Sequence, residues 1–181
     1  MKPTRNSSEA EKPNTTGTST TPLGKRLPFE IVLGIGSNLG DRRQTLVRAV
    51  SLLGALPGVR VLRTSTLRET PAWGLEDQPP FLNGAVLVQT EHDPLELLGE
   101  TRRIEAVCGR TREVRWGPRT LDIDLLWSHG LVVEHPDLTL PHAGLLERVF
   151  ALEPLLELVP EAVDPRTGAS YVASLDSLRK G

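Results

Sequence analysis

At 181 residues the chain is long enough for one domain with a sizeable core. Its formal charge of −2 and pI near 6.1 argue against a general nucleic-acid binder. One cysteine, Cys108, excludes an internal disulfide. With no apolar run long enough for a bilayer and no hydrophobic secretory segment at the N-terminus, the expected setting is the cytoplasm, away from membranes.

Residues 1 to about 27 are rich in Ser, Thr, Pro, Asn and Lys and hold almost no large apolar side chain. That composition predicts a disordered tail, with a single domain over 28–181. Phe29 to Ile35 reads as a first strand. It runs into Gly34-Ile35-Gly36-Ser37-Asn38-Leu39-Gly40, which looks like a dinucleotide fingerprint with its third glycine one place late. No acid stands about twenty positions on, although Arg60 and Arg63 would suit a 2′-phosphate. A tight strand-to-helix turn is the preferred reading. A helix follows, with Asp41 as N-cap, Gln44 three places on, Leu46, Val50 and Leu53 as its stripe, and Gly54 as its stop. Gly58 to Arg68 reads as one strand.

Thr70 to Pro80 has no period and holds Pro71, Pro79 and Pro80, so it is a loop. Its Trp73 either covers the core or forms a lid over a flat ligand. Phe81 to Gln89 is a third strand, with Phe81 and Asn83 on one face. They are either a core ring beside a bonded amide or a slot that stacks a heterocycle and reads its polar edge. Asp93-Pro94-Leu95-Glu96 opens a helix with a cap, Pro at N1 and Glu at N3. Leu97, Thr101, Ile104 and Cys108 line one side; Arg102 and Glu105 share another, which reads most simply as solvated. Gly109 ends it. Beyond residue 127 come Leu131 to Val133, then Leu138-Thr139-Leu140-Pro141-His142. His129, His135 and His142 lack zinc-ligand spacing. Leu145 to Leu158 is helical in pattern with an interruption at Pro154, and carries Arg148 and Phe150. Tyr171 to Leu178 is a short amphipathic run. Strand, helix, strand, strand, helix, strand is the order of a ferredoxin-like α+β fold, βαββαβ, with C-terminal elements appended to an antiparallel-rich sheet.

The most informative stretch is Arg115-Trp116-Gly117-Pro118-Arg119-Thr120-Leu121-Asp122-Ile123-Asp124-Leu125. Its second half alternates as a strand, so Asp122 and Asp124 share a face, roughly 6.5–7 Å apart at their Cα atoms. Two carboxylates that close repel unless neutralised, and Mg²⁺ with substrate phosphates would do so. A solvated acidic strand face is the plain alternative. Six arginines and two glutamates lie between Arg102 and Arg119, and the basic run ends where the acidic strand begins. Acids for metal and arginines for phosphate describe a polyphosphate site. The acid pair's repulsion further predicts that replacing either Asp costs turnover and leaves stability equal or higher. The Arg110–Arg119 segment, with few local acids, is expected to stay loose until phosphate arrives and then close as a lid.

Taken together, these residues resemble the 6-hydroxymethyl-7,8-dihydropterin pyrophosphokinase family from about Ile31 to Pro160. The most specific part is Arg-Trp-Gly-Pro-Arg-Thr-Leu-Asp-Ile-Asp-Leu-Leu, and Gly-Ser-Asn-Leu-Gly-Asp, Asp-Gln-Pro-x-Phe-Leu-Asn and Leu-Pro-His occur in the family's order. The resemblance implies transfer of pyrophosphate from ATP to the hydroxymethyl oxygen of the pterin, a step of folate biosynthesis. It implies two Mg²⁺ on Asp122 and Asp124, with Arg110 and Arg119 beside them as catalytic groups. It implies nucleotide contacts from Arg102, Glu105, Arg110, Arg112, Arg119, Ile123, His142 and Arg148. It implies a pterin pocket of Thr70, Pro71, Trp73, Phe81, Asn83, Trp116 and Phe150. Arg102 stands where the family often has Gln, Ala143 where an aromatic is common, and Trp73 where an aliphatic is common. The expected partners are these small molecules alone, with the protein a monomer. A nucleotide-sugar transferase using Asp-x-Asp and a non-catalytic ferredoxin-like nucleotide-binding module are the competing readings.

Overall fold

The structure is a computed structural model that describes residues 28–72, 78–110 and 117–180. The expected disordered tail, Trp73, Arg112, Trp116 and the middle of the expected lid lie outside the described residues.

The elements run β1 (Phe29–Ser37), α1 (Arg42–Ala55), β2 (Val59–Thr64), β3 (Arg68–Thr70), β4 (Phe81–Thr90), α2 (Pro94–Val107) and β5 (Asp122–Ser128). Then come β6 (Val133–His135), β7 (Leu138–Leu140), a 3-10 turn (Leu145–Glu147), α3 (Val149–Leu158) and α4 (Tyr171–Leu178). The main sheet has the order β2-β4-β1-β5, with β3 also on β4, and every pairing is antiparallel. β1 and β2 are therefore parallel with β4 between them, and β4 and β5 are parallel with β1 between them. That interleaving of two βαβ units is the ferredoxin-like arrangement. β6 and β7 form a separate hairpin.

Strand alternation divides the molecule into two cores. Ile31, Leu33 and Ile35 of β1 pack with Val86, Val88, Ile123 and Leu125 under α1 and α2, which supply Leu46, Ala49, Leu53, Leu97 and Ile104. Val32, Ala85, Leu87 and Leu126 face the other way, against Leu152 and Leu155 of α3 and Tyr171 and Leu175 of α4. Leu46, Leu53, Leu97, Leu152 and Leu155 are at most 1 % exposed; each such burial contributes about 1.5–3 kcal/mol. β1, the central strand, is covered on both faces and so reads as a nearly unbroken apolar run.

Three local expectations need correction. The stretch from Gly58 to Arg68 is two strands, because the chain leaves the ladder at Ser65. There the Ser65 hydroxyl accepts the Ala85 N–H at 2.8 Å, and Thr66 donates its N–H and hydroxyl to Glu157 at 2.7 and 2.8 Å. Gly54 lies inside α1, which continues to Ala55; the reversal belongs to Gly58, whose φ of +72° suits glycine. Pro154 sits within α3, and the break falls at Arg148, whose φ of −124° and ψ of 94° are extended. That break makes Arg148 the residue before α3 rather than a member of its face. The dinucleotide alternative also fails on placement. Arg63 donates to the Leu158 carbonyl at the end of α3, and Arg60 pairs with Gln89, at the opposite end of β4 from Asn83.

Both helix starts follow their cap signals. Asp41 accepts the Gln44 N–H at 3.0 Å. Asp93 accepts the Leu95 N–H at 3.0 Å while Glu96 accepts the Asp93 N–H at 2.9 Å, a reciprocal capping box. We expect Asp93→Ala to lower unfolding free energy by about 1 kcal/mol in urea titrations and to leave turnover unchanged, since α2 carries its site residues at the other end.

Candidate active site

The register across β4, β1 and β5 sets the floor of the site. Gly36 of β1 pairs with Asn83 on one side and Asp122 on the other; Gly34 pairs with Ala85 and Asp124. Cross-strand partners share a face, so Asn83, Asp122 and Asp124 stand on the α3 side of the sheet, at the end that α3 leaves open. β5 is an edge strand.

Asp122 is engaged through both of its carboxylate oxygens. Its Oδ1 lies 2.8 Å from Arg110 Nη1 and its Oδ2 2.6 Å from Arg119 Nη1. Arg110 also bonds Glu105, and its backbone N–H donates to the Glu105 carbonyl at 3.0 Å. Glu105 is 3 % exposed, so the expected solvated face is wrong at this residue. Its Oε1 accepts the Ile123 N–H at 2.8 Å, tying the end of α2 to the start of β5. Burial raises the Glu105 carboxyl above the usual range, and the Ile123 N–H and the Arg110 charge pull it back. The expectation of arginines short of local acids is therefore corrected at both ends of the segment: Arg110 and Arg119 are each already paired.

Asp124 is placed differently. Its Oδ2 is 3.8 Å from Arg148 Nη1. Desolvation first, and the neighbouring Asp122 second, push its carboxyl up to about 6. Arg148 also lies over the Phe150 ring, 5.9 Å from its centroid. His142 accepts the Gly144 N–H on Nδ1 at 3.1 Å, which leaves the proton of the neutral ring on Nε2. Burial and then the charge of Arg148 lower its pKa, keeping it neutral.

A residue that the motif reading passed over holds the loops together. Asn38 is 2 % exposed. It accepts the Arg119 N–H at 2.7 Å, its own N–H donates to the Arg119 carbonyl at 3.1 Å, and its Nδ2 donates to Gln78 Oε1 and the Pro79 carbonyl, both at 3.1 Å. One side chain thus fixes the end of the proline loop against the arginine segment. Its amide, buried in a strand-to-helix turn, was the available signal.

Two clefts meet over this cluster. One, of about 270 Å³, is bordered by Pro71, Phe81, Asn83, Phe150 and Gly117. Asn83 Nδ2 donates to Thr70 Oγ1 at 2.7 Å, which leaves the Asn83 carbonyl oxygen as the group on offer. The other, of about 290 Å³, runs along β5 between α2 and the β6–β7 hairpin, past Leu98, Glu105, Arg110, Ile123 and Leu138. Arg102 sits at its rim, 3.9 Å from Asp137. Arg119, Asp122, Asp124 and His142 border both clefts, and Arg148 borders the first. Among the described residues no group of three or more His, Cys, Asp or Glu could hold a metal by itself. Two adjacent carboxylates do fit Mg²⁺, which takes one or two of them and completes its shell with phosphate and water.

A sequence model of the 7,8-dihydro-6-hydroxymethylpterin-pyrophosphokinase (HPPK) family matches residues 32–160. The chain is 49 % identical over 131 residues to the 2-amino-4-hydroxy-6-hydroxymethyldihydropteridine pyrophosphokinase of Methylorubrum extorquens, covering 72 % of this chain and 83 % of that one. It is 44 % identical over 137 residues to the enzyme of the same name from Bacillus subtilis, covering 76 % and 82 %. Its fold is similar to the wild-type HPPK-DHPS of Plasmodium falciparum solved with pterin and p-hydroxybenzoate, with TM-score 0.66 at 16 % identity, covering 86 % of this chain and 44 % of that one. The chain thus spans less than half the length of that structure.

The two acids should part company in stability. Asp122→Asn takes the carboxylate from Arg119 and one of two from Arg110, and is expected to lower the thermal midpoint, contrary to the expectation from mutual repulsion. Asp124 is disfavoured as an anion when folded: the penalty is absent below about pH 4, grows as pH rises towards 6 and is complete above it. Asp124→Asn should therefore raise the midpoint at pH 8, without metal or nucleotide, and lose most of that gain by pH 4.5. Differential scanning calorimetry at the two pH values reads both.

Proposed function

This chain belongs to the 7,8-dihydro-6-hydroxymethylpterin-pyrophosphokinase family, and we propose how its two clefts divide that reaction. The enzyme transfers pyrophosphate from ATP to 6-hydroxymethyl-7,8-dihydropterin in folate biosynthesis, releasing AMP. The observation that carries our reading is the wall common to both clefts, Arg119, Asp122, Asp124 and His142. A reaction joining a flat heterocycle to a polyphosphate needs two sites that open onto one charged cluster.

The aromatic cleft takes the pterin, between Phe81 and Phe150, with Thr70, Pro71 and Asn83 around it; Trp73 and Trp116 join it by family resemblance. The cleft along β5 takes ATP, the base beside Ile123 and Arg102, the phosphates towards Arg110, Arg112, Arg119, His142 and Arg148. Glu105 serves the nucleotide through Arg110 and through the start of β5, both of which it holds. Asp122 and Asp124 would carry two Mg²⁺, which supply charge neutralisation and a template for the triphosphate. The residues do the rest. The pterin pocket aims the hydroxymethyl oxygen at the β-phosphorus, in line with the bond to the α-phosphate oxygen that breaks. The reaction is positioning plus electrostatics, with little covalent help required. Arginine forks remain charged throughout and bind phosphate oxygens in pairs. His142, neutral with its proton on Nε2, offers a phosphate a hydrogen bond without a change of charge.

The ion pairs imply an exchange. Arg110 and Arg119 bond Asp122 through Nη1, and Arg148 approaches Asp124 through Nη1, so a phosphate that draws these guanidinium groups to itself loosens their hold on the acids. The carboxylates then need positive charge, so metal and nucleotide bind in mutual support. Among the described residues no helix is long and apolar enough to cross a membrane, and we read the protein as a cytoplasmic monomer in which one chain supplies every group.

The test is release of AMP from ATP that requires both Mg²⁺ and the hydroxymethyldihydropterin. Asp122→Asn and Asp124→Asn are expected to lower kcat by about 100-fold or more. Phe81→Ala and Phe150→Ala are expected to weaken pterin binding about tenfold in titration calorimetry, with nucleotide binding nearly unchanged. Nucleotide binding with no AMP formed under any condition would return the protein to the class of non-catalytic nucleotide-binding modules.

A further inference from the structure

We propose that Gly36 is a positioning residue for the heterocycle, and that its missing side chain holds the Asn83 carbonyl over the floor between the pterin slot and the acids. The inference rests on the pterin reading given above. Gly36 lies in β1 and is not among the glycines with positive φ, so its backbone conformation does not require glycine. What requires it is space. A Cβ at position 36 would fall well inside contact distance of Asn83 Oδ1 and would touch the Phe81 ring at 3.6 Å.

Asn83 has little freedom to yield. Its Nδ2 is committed to Thr70 Oγ1 at 2.7 Å, so turning the amide away breaks that bond. With the nitrogen committed, Oδ1 is an acceptor, suited to a ring N–H of the ligand. Gly36 also pairs with Asp122 on its other side. The Asn83 and Asp122 columns are therefore two strand spacings apart, roughly 9–10 Å, with only glycine between them. A small cavity of about 40 Å³ opens there, bordered by Gly34, Gly36, Asn83, Asp122 and Asp124. The hydroxymethyl arm must pass over this strip to meet the phosphates. A side chain at 36 would tilt the reading amide, leaving the nucleotide cleft along β5 untouched.

The experiment is a double-mutant cycle on the full chain with Gly36→Ala, Asn83→Ala and the double variant, using 6-hydroxymethyl-7,8-dihydropterin and, separately, ATP with Mg²⁺ as titrants. Gly36→Ala is expected to raise the pterin Kd and the pterin KM at least tenfold while the nucleotide Kd stays within twofold. The double variant is expected to bind pterin no more weakly than Asn83→Ala alone, because the group with which the new methyl collides is gone. Thermal midpoints supply a readout independent of the ligand: Gly36→Ala lowers the midpoint when Asn83 is present and changes it little when residue 83 is Ala. If Gly36→Ala does not fold, the double variant still decides, and its folding with the pterin affinity of Asn83→Ala supports the inference. Multiplied losses in the double variant, its failure to fold, or a pterin Kd within twofold for Gly36→Ala would overturn it. Failure of the parent protein to bind pterin overturns the pterin reading instead, and the midpoint cycle then judges the coupling of Gly36 to Asn83.

Discussion

Everything about this site depends on the carboxylate of Asp122 being held between two guanidinium groups. Arg110 and Arg119 approach its two oxygens at 2.8 and 2.6 Å, and the arginines come from opposite ends of the segment that leads into β5. Behind Arg110 stands Glu105, buried and shared between that arginine and the Ile123 N–H. Removing any member leaves a charge that burial then penalises. The network thus locates the loop ends, the start of β5 and the end of α2 with one set of bonds, and the acids of the floor inherit their positions from it.

The two faces of the sheet have different duties. α1 and α2 close one face along its length, and that core accounts for Ile31, Leu33 and Ile35. α3 and α4 cover only part of the other, and the uncovered end is where Asn83, Asp122 and Asp124 stand. A ferredoxin-like sheet with both faces fully covered would have no room for a ligand. The break at Arg148 allows α3 to stop short and also directs a guanidinium towards Asp124.

Most of the fold was legible because most of its rules are local. Alternation in β1, β4 and β5 and the caps at Asp41 and Asp93 follow from neighbours a few positions apart. The acid pair and its arginines were legible for the same reason, as was Phe81 beside Asn83. What escaped was settled over long sequence separations. Glu105 reads as one more charge on a helix until Ile123, eighteen positions on, proves to be its partner. Asn38 is a turn residue until Pro79 and Arg119 close on it. Pro154 reads as a helix breaker, yet the extended backbone of Arg148 is what ends the preceding turn. Gly36 reads as part of a fingerprint, and its meaning lies in a strand more than forty residues away.

The pairing of the arginines has a consequence for how a polyanion finds the protein. Arg110, Arg119 and Arg148 are matched by Glu105, Asp122 and Asp124, so the described cluster is balanced in charge at neutral pH. A balanced cluster casts almost no field beyond a Debye length. Electrostatic steering, which accelerates encounter where a cleft carries charge of one sign, has little to act on within these six groups. On the proposed placement of the nucleotide, its capture by these groups is a short-range trade of counter-ions, carried out after collision, in which ionic strength should govern how long the ligand stays far more than how often it arrives.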